Sequence, residues 1–223
     1  LSKLQLNNFV SKSFFLLIGV MMMGAVMRVP FTAIPAVLTD IAAGLGVSVS
    51  DLGILTSLPL VMFALCSSLA PGWAARLGLE KLLGLALLVM TAGSLLRIVG
   101  VAGLFLGTIL IGISVAIINV LLPSLVSVHF PLKVGLYTTV YITMMGLAGT
   151  VGSMVAVPIV EASSWQTFVI LLTLFVGLAA LIWLPNWSYN HRFEQASKTT
   201  KQGSLLKNKA ALIFGSLSTV VGR

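Results

Sequence analysis

Six stretches of this chain are each long and apolar enough to cross a lipid bilayer, and nothing else in the sequence constrains its fold so tightly. A helix rising about 1.5 Å per residue needs roughly 20 apolar residues to cross about 30 Å of hydrocarbon. The windows are Phe14–Leu38, Leu52–Ala75, Leu82–Ala102, Leu104–Val126, Val134–Val160 and Trp165–Leu184. A seventh, Ala210–Gly222, begins in the same style and reaches Arg223 after about 13 residues, short for a span. In hydrocarbon every backbone amide and carbonyl must be satisfied within the protein, so runs of this length fold as helices. The expected class is an all-α integral membrane protein: a six-helix transmembrane bundle plus the start of a seventh span. Composition agrees, because 58% hydrophobic and 8% charged residues leave too few charges to cover a water-facing surface. The first run follows Lys3 and Lys12 as a signal peptide would, yet it is too long for an h-region and is read as span one.

The formal net charge is +8, so the placement of the basic residues decides what they are for. Outside the spans they are Lys3, Lys12, Arg76, Lys81, Lys133, Arg192, Lys198, Lys201, Lys207 and Lys209. With a cytoplasmic N-terminus all ten fall on one side, and the opposite loops carry only Asp40, Asp51 and Glu161. That is the usual positive-inside bias, and it implies an even number of spans with both flanks inside. Spread over short loops and tails, these charges suit anionic lipid headgroups and argue against a nucleic-acid partner. Cys66, the single cysteine, lies in an apolar run and supports neither a disulfide scaffold nor a thiolate metal cluster.

The stretch 186–209 holds both charge signs with Ser, Thr, Gln and Asn and shows no apolar periodicity, which marks it as a cytoplasmic linker. The expected organisation is a bundle over 1–185, the linker, and the beginning of span seven over 210–223. A six-span unit, a linker and a further span is the layout of one half of a two-half secondary transporter. Internal symmetry points the same way. Arg28, Pro30 and Pro35 lie late in span one, while Asn119 and Pro123 lie in a comparable place in span four, each span opening a group of three.

Arg28 is the sharpest single signal. An arginine deep in a span costs about 2.5–3.5 kcal/mol on the insertion scale, which the apolar residues around it outweigh, so the helix still inserts. A buried guanidinium needs a partner, and the five acids, Asp40, Asp51, Glu80, Glu161 and Glu194, all lie in loops or at span ends. The missing partner is then either an anionic solute held by the planar donor fork or backbone carbonyls freed by Pro30 and Pro35. Arg97, one to two turns from the end of its window, is a weaker candidate for the solute path and could instead reach headgroups. Asn119 shares a face with Gly112, Ala116 and Pro123, which suits tight helix packing or a cavity wall. Span five is rich in Gly, Thr and Ser, mostly expected to let backbones approach. Tyr137 and Tyr141 lie on one of its faces, positioned to offer a phenol to a solute or to act as interfacial aromatics. No phosphate-binding glycine loop is present, His129 and His191 look solitary, and no metal or cofactor is expected.

Several stretches resemble the N-terminal half of a major facilitator superfamily transporter, within its cyanate and 2-nitroimidazole permease branch. They are R-V-P-F-T-A-I-P (Arg28–Pro35), T-S-L-P (Thr56–Pro59), A-P-G-W-A-A-R-L-G-L-E-K (Ala70–Lys81), N-V-L-L-P-S-L-V-S-V-H-F-P (Asn119–Pro131), G-L-Y-T-T-V-Y (Gly135–Tyr141) and W-L-P (Trp183–Pro185). Arg76 and Gly78 match the basic residue and glycine of the superfamily's conformational loop between spans two and three, while Ala75 stands where an Asp is usual. The resemblance implies a whole protein of about twelve spans, on the order of 400 residues, with a site between two bundles reached by rocking. On this expectation a C-terminal six-span half is missing here, and these residues alone do not transport.

The leading reading is a permease for a small polar or anionic solute in a bacterial inner membrane, working by alternating access, with Arg28, Asn119, Tyr141 and Arg97 as solute-binding candidates. The alternative is a non-transporting membrane assembly subunit. An enzyme would need a clustered acid, base, nucleophile or metal set at a span end, and the sequence shows none.

Overall fold

The computed structural model describes the backbone of residues 3–188 and the side chains of residues 15–187. The chain divides into Leu1–Phe193 and Glu194–Arg223, and the second unit lies outside the described residues. The expected linker from residue 189 onward and the start of span seven at 210–223 therefore lie there too.

The described residues form helices α1 (Lys3–Ala36), α2 (Leu38–Leu45), α3 (Val49–Leu52), α4 (Ile54–Cys66), α5 (Ala70–Leu77), α6 (Leu79–Leu96), α7 (Gly100–His129), α8 (Val134–Ala162) and α9 (Trp165–Trp183), then a 3-10 turn, Leu184–Ser188; none is in a strand. Six segments are long and apolar enough to span: Phe15–Ala36, Val49–Cys66, Leu79–Leu96, Gly100–His129, Val134–Ala162 and Trp165–Trp187. The chain is an all-α integral membrane protein, and its six spans match the six apolar windows.

Two boundaries differ from the sequence reading, each for a local backbone reason. The second window ends at Cys66 rather than Ala75, and α5 follows as a separate helix. Pro71 has no N–H to return to the Ser67 carbonyl, so the hydrogen-bond ladder is interrupted there. The third window stops at Leu96, leaving Arg97 as the helix cap, and Gly100 at φ 90° redirects the chain into α7. Arg97 is thus not inside a span as expected. Gly78, at φ 94°, makes the corresponding corner between α5 and α6.

Lipid gives helices no hydrophobic reason to associate, so their contacts rest on close packing of small residues. A Cβ on Gly93 would lie 2.9 Å from the Gly107 carbonyl oxygen, which marks the crossing of α6 and α7. On Gly24 it would lie 2.6 Å from the Tyr141 carbonyl oxygen, where α1 meets α8. Three hydroxyls in α8 are satisfied by their own helix: Thr139 donates to the Gly135 carbonyl, Thr150 to Gly146 and Ser153 to Gly149, at 2.9, 3.0 and 3.0 Å. Not all the small residues of span five serve packing, because a side chain on Gly135 or Gly146 would meet nothing within 4 Å.

The six spans are unequally covered. Within an 18-residue apolar stretch of each, only 22% of residues are buried in the second and fifth, against 56%, 56% and 61% in the first, third and fourth. The bundle therefore presents α4 and α8 outward and encloses α6 and α7.

Gly107→Val should force α6 and α7 apart and cost about 1–3 kcal/mol, lowering the thermal unfolding midpoint in detergent. Gly146→Ala, open to space, should leave that midpoint unchanged or slightly raised. Equal loss in both variants would contradict the assigned crossing.

Candidate functional site

Four helices, α1, α4, α7 and α8, surround a hollow of about 200 Å³ lined by Met27, Arg28, Phe31, Leu60, Phe63, Val115, Asn119 and Met145. Its walls are apolar and aromatic, and its two strongly polar side chains are Arg28 and Asn119. The two residues singled out from spans one and four thus lie on one hollow. Both are exposed rather than buried.

The reading of Arg28 as a buried guanidinium needs correction. Its side chain is exposed to the hollow, and among the described residues no hydrogen bond or ion pair engages it. The carbonyls freed by Pro30 and Pro35 do not tie it off. The stem instead lies against α8, where a Cβ on Gly149 would fall 2.6 Å from Arg28 Cγ. Thr32, one turn on, donates to the Arg28 carbonyl at 3.3 Å and across the seam to the Gly149 carbonyl at 3.2 Å. The guanidinium therefore presents its full set of N–H donors to whatever enters the hollow.

Asn119 has the amide counterpart. The small residues sharing its face are spent on packing: Ala116 is fully buried, and a Cβ on Gly112 would lie 2.9 Å from Met62 Cβ and 3.0 Å from Pro59 Cα. Asn119 alone on that stripe opens into the hollow, which carries a donor and an acceptor opposite apolar rings.

The other two candidates do not join them. Arg97 is the buried arginine, 2% exposed, and its Nε donates to Thr108 Oγ1 at 3.2 Å while Thr108 donates to the Leu104 carbonyl at 2.7 Å. A Cβ on Gly107 would lie 2.9 Å from Arg97 Cγ, so this arginine fills a slot between α6 and α7 instead of reaching toward headgroups. Tyr141 is 7% exposed and packs in the core with α1, outside the lining of the hollow. Tyr137 packs its ring against Phe130 at a tilt of 39°, with centroids 4.2 Å apart.

At one end of the bundle the structure shows a site that the sequence reading missed. Glu80, in the first turn of α6, is fully buried, and its Oε1 lies 2.9 Å from His129 Nε2 at the end of α7. Trp183 Nε1 donates to the Glu80 carbonyl at 3.0 Å, which ties α9 to the same point. His129 is therefore not solitary. The signal lay in the A-R-L-G-L-E-K and S-V-H-F-P stretches, but the pairing joins residues 49 apart and no local pattern reveals it. Arg76 is exposed beside this corner and Gly78 forms it, so the loop positions expected to matter flank a hydrogen-bonded tie between helices.

Arginine-selective labelling with phenylglyoxal should modify Arg28 at least about tenfold faster than Arg97, because of the two only Arg28 is exposed and without a partner among the described residues. Equal rates, read by peptide mass spectrometry, would contradict the assignment. His129→Ala should remove the imidazole that bonds the buried Glu80 side chain and cost about 0.5–1.5 kcal/mol in unfolding free energy. An unchanged unfolding midpoint would show that the tie contributes nothing.

Comparison with known proteins places this geometry. The Major Facilitator Superfamily profile matches residues 14–222. The chain is 37% identical over 190 residues to the uncharacterized transporter YycB of Bacillus subtilis strain 168, covering 84% of the chain and 47% of that protein. It is 38% identical over 174 residues to the 2-nitroimidazole transporter of Escherichia coli strain K12, covering 77% and 44%. The chain thus spans about half the length of these relatives. Among solved structures, a mutant of the peptide transporter POT superposes with a TM-score of 0.62 in its sulfate complex and 0.65 in its alafosfalin complex, at 14% and 15% identity. These matches cover 92% and 93% of the chain and 46% of each transporter. Six spans with the fold of half a transporter, matched by the family profile over nearly their whole length, establish that this chain belongs to the Major Facilitator Superfamily.

Proposed function

We propose that these residues form the N-terminal six-span half of a secondary transporter that moves a small polar or anionic solute by alternating access. The carrying observation is Arg28: a guanidinium with no partner among the described residues, facing a hollow that Asn119 also lines. An arginine fork with an amide nearby suits a planar oxygen- or nitrogen-bearing solute, and the Phe31 and Phe63 rings suit a flat apolar body. The relative named for 2-nitroimidazole supports a solute of this size and kind. Substrate specificity also depends on the facing half, so the class and not the compound is proposed.

The second six-span half would supply the opposite wall. The poor coverage of α4 and α8, two of the helices that bound the hollow, supports its seating there. The basic residues in the loops and tails support a cytoplasmic N-terminus, and the bacterial relatives support a location in the inner membrane. Tyr141 and Arg97 then serve the bundle that holds the site rather than touching the solute. Arg76 and Gly78 would act at the loop where the inner ends of the helices shift.

The test is Arg28→Lys in the intact carrier, which keeps the charge and removes the planar fork. With radiolabelled 2-nitroimidazole as probe, the half-saturating concentration for uptake should rise by about tenfold, corresponding to about 1.4 kcal/mol of lost interaction. Unchanged half-saturation and rate would remove Arg28 from the site.

A further inference from the structure

Nothing polar holds the direction of Arg28, since no hydrogen bond or ion pair to a described residue engages its guanidinium. Its aim must come from the surface on which its stem rests. That surface is the bare backbone of Gly149: a Cβ there would lie 2.6 Å from Arg28 Cγ, 3.4 Å from its Cβ and 3.6 Å from Thr32 Oγ1. Thr32 donates to the Gly149 carbonyl at 3.2 Å and so pins α1 to α8 at this residue. Met145, one turn earlier on α8, lines the hollow, so Gly149 lies at its margin. One turn further, Gly152 plays a similar packing part against a different neighbour, for a Cβ there would lie 2.8 Å from Val29 Cγ1. Val29 is buried and is not part of the lining.

We infer that Gly149 is a positioning residue for Arg28: by carrying no side chain it lets the arginine stem lie down on α8 and holds the guanidinium in the hollow. The inference rests on the solute-binding reading of Arg28. Gly149 itself does not line the hollow and touches no solute. A methyl group at this position overlaps Cγ and turns the side chain away, while the same methyl at Gly152 presses only on Val29. The two substitutions therefore separate aiming from packing.

The experiment measures uptake of radiolabelled 2-nitroimidazole by the intact carrier in proteoliposomes. Gly149→Ala should raise the half-saturating concentration by about tenfold, and Gly152→Ala should change it by less than about twofold, although both lower the thermal midpoint. In an Arg28→Lys background, Gly149→Ala should add less than about a further twofold, because the group it aims is already gone. Equal effects of the two glycine substitutions, or full additivity with Arg28→Lys, overturn the inference. If Arg28→Lys raises half-saturation and Gly149→Ala does not, positioning fails while the solute reading stands; if Arg28→Lys has no effect, the solute reading fails. Should Gly149→Ala not insert, Thr32→Val is read in its place, since it removes the hydroxyl that anchors the seam at nearly constant volume: raised half-saturation supports the inference and no change overturns it. If the unmodified carrier takes up no probe, phenylglyoxal labelling of Arg28 decides. A rate altered at least about threefold by Gly149→Ala and not by Gly152→Ala supports positioning, and equal rates refute it.

Discussion

Helices in a bilayer gain nothing hydrophobic by leaving lipid for one another, so this bundle depends on places where a missing side chain lets two backbones touch. Gly93 and Gly107 bring α6 against α7, and Gly24, Gly149 and Gly152 bring α1 against α8. At such contacts a change of one methyl group is felt as a shift of a whole helix. The hollow is a consequence of these contacts. With α1 drawn onto α8 and α7 onto α4 at Gly112, the four helices leave a space between them that Arg28 and Asn119 reach.

The two arginines show how physics divides residues that look alike in sequence. Both follow apolar runs and neither has an acid nearby in the chain. Arg97 ends its helix, and the bare backbone of Gly107 opens a slot in which Thr108 accepts from its Nε. Its stem is buried and it bridges α6 and α7. Arg28 meets an equally bare glycine, but its polar end emerges where no acceptor among the described residues engages it. What distinguishes them is the surface opposite, and that surface comes from residues distant in the sequence: Gly149 lies more than a hundred positions from Arg28.

This also explains what was legible in advance. The spans could be read because each is a local property of about 20 consecutive residues, and the six windows reappear as six helices. Arg28 and Asn119 could be read because a polar group in an apolar run is conspicuous in itself. The burial of Arg97 and Tyr141 could not, because burial depends on which helix lies alongside. Helix ends set by proline and glycine, at Pro71 and Gly100, were written in the chain but weighed less than hydropathy, so the second and third windows ran too long. The Glu80 tie was hidden most thoroughly, since its partners lie 49 and 103 residues away and each looks like an ordinary loop or interface residue. Ala75 stands where an Asp is usual, and the structure pairs the buried Glu80 side chain, five residues further along, with the His129 imidazole at the end of α7.

The central claim is that the solute meets the chain at Arg28 and Asn119. A structure of the intact carrier with its solute bound tests it most directly. The account predicts density for the solute in the hollow, within hydrogen-bond distance of the Arg28 guanidinium and beside the Asn119 amide. Solute density elsewhere, with Arg28 tied to protein groups and the hollow closed, would contradict it.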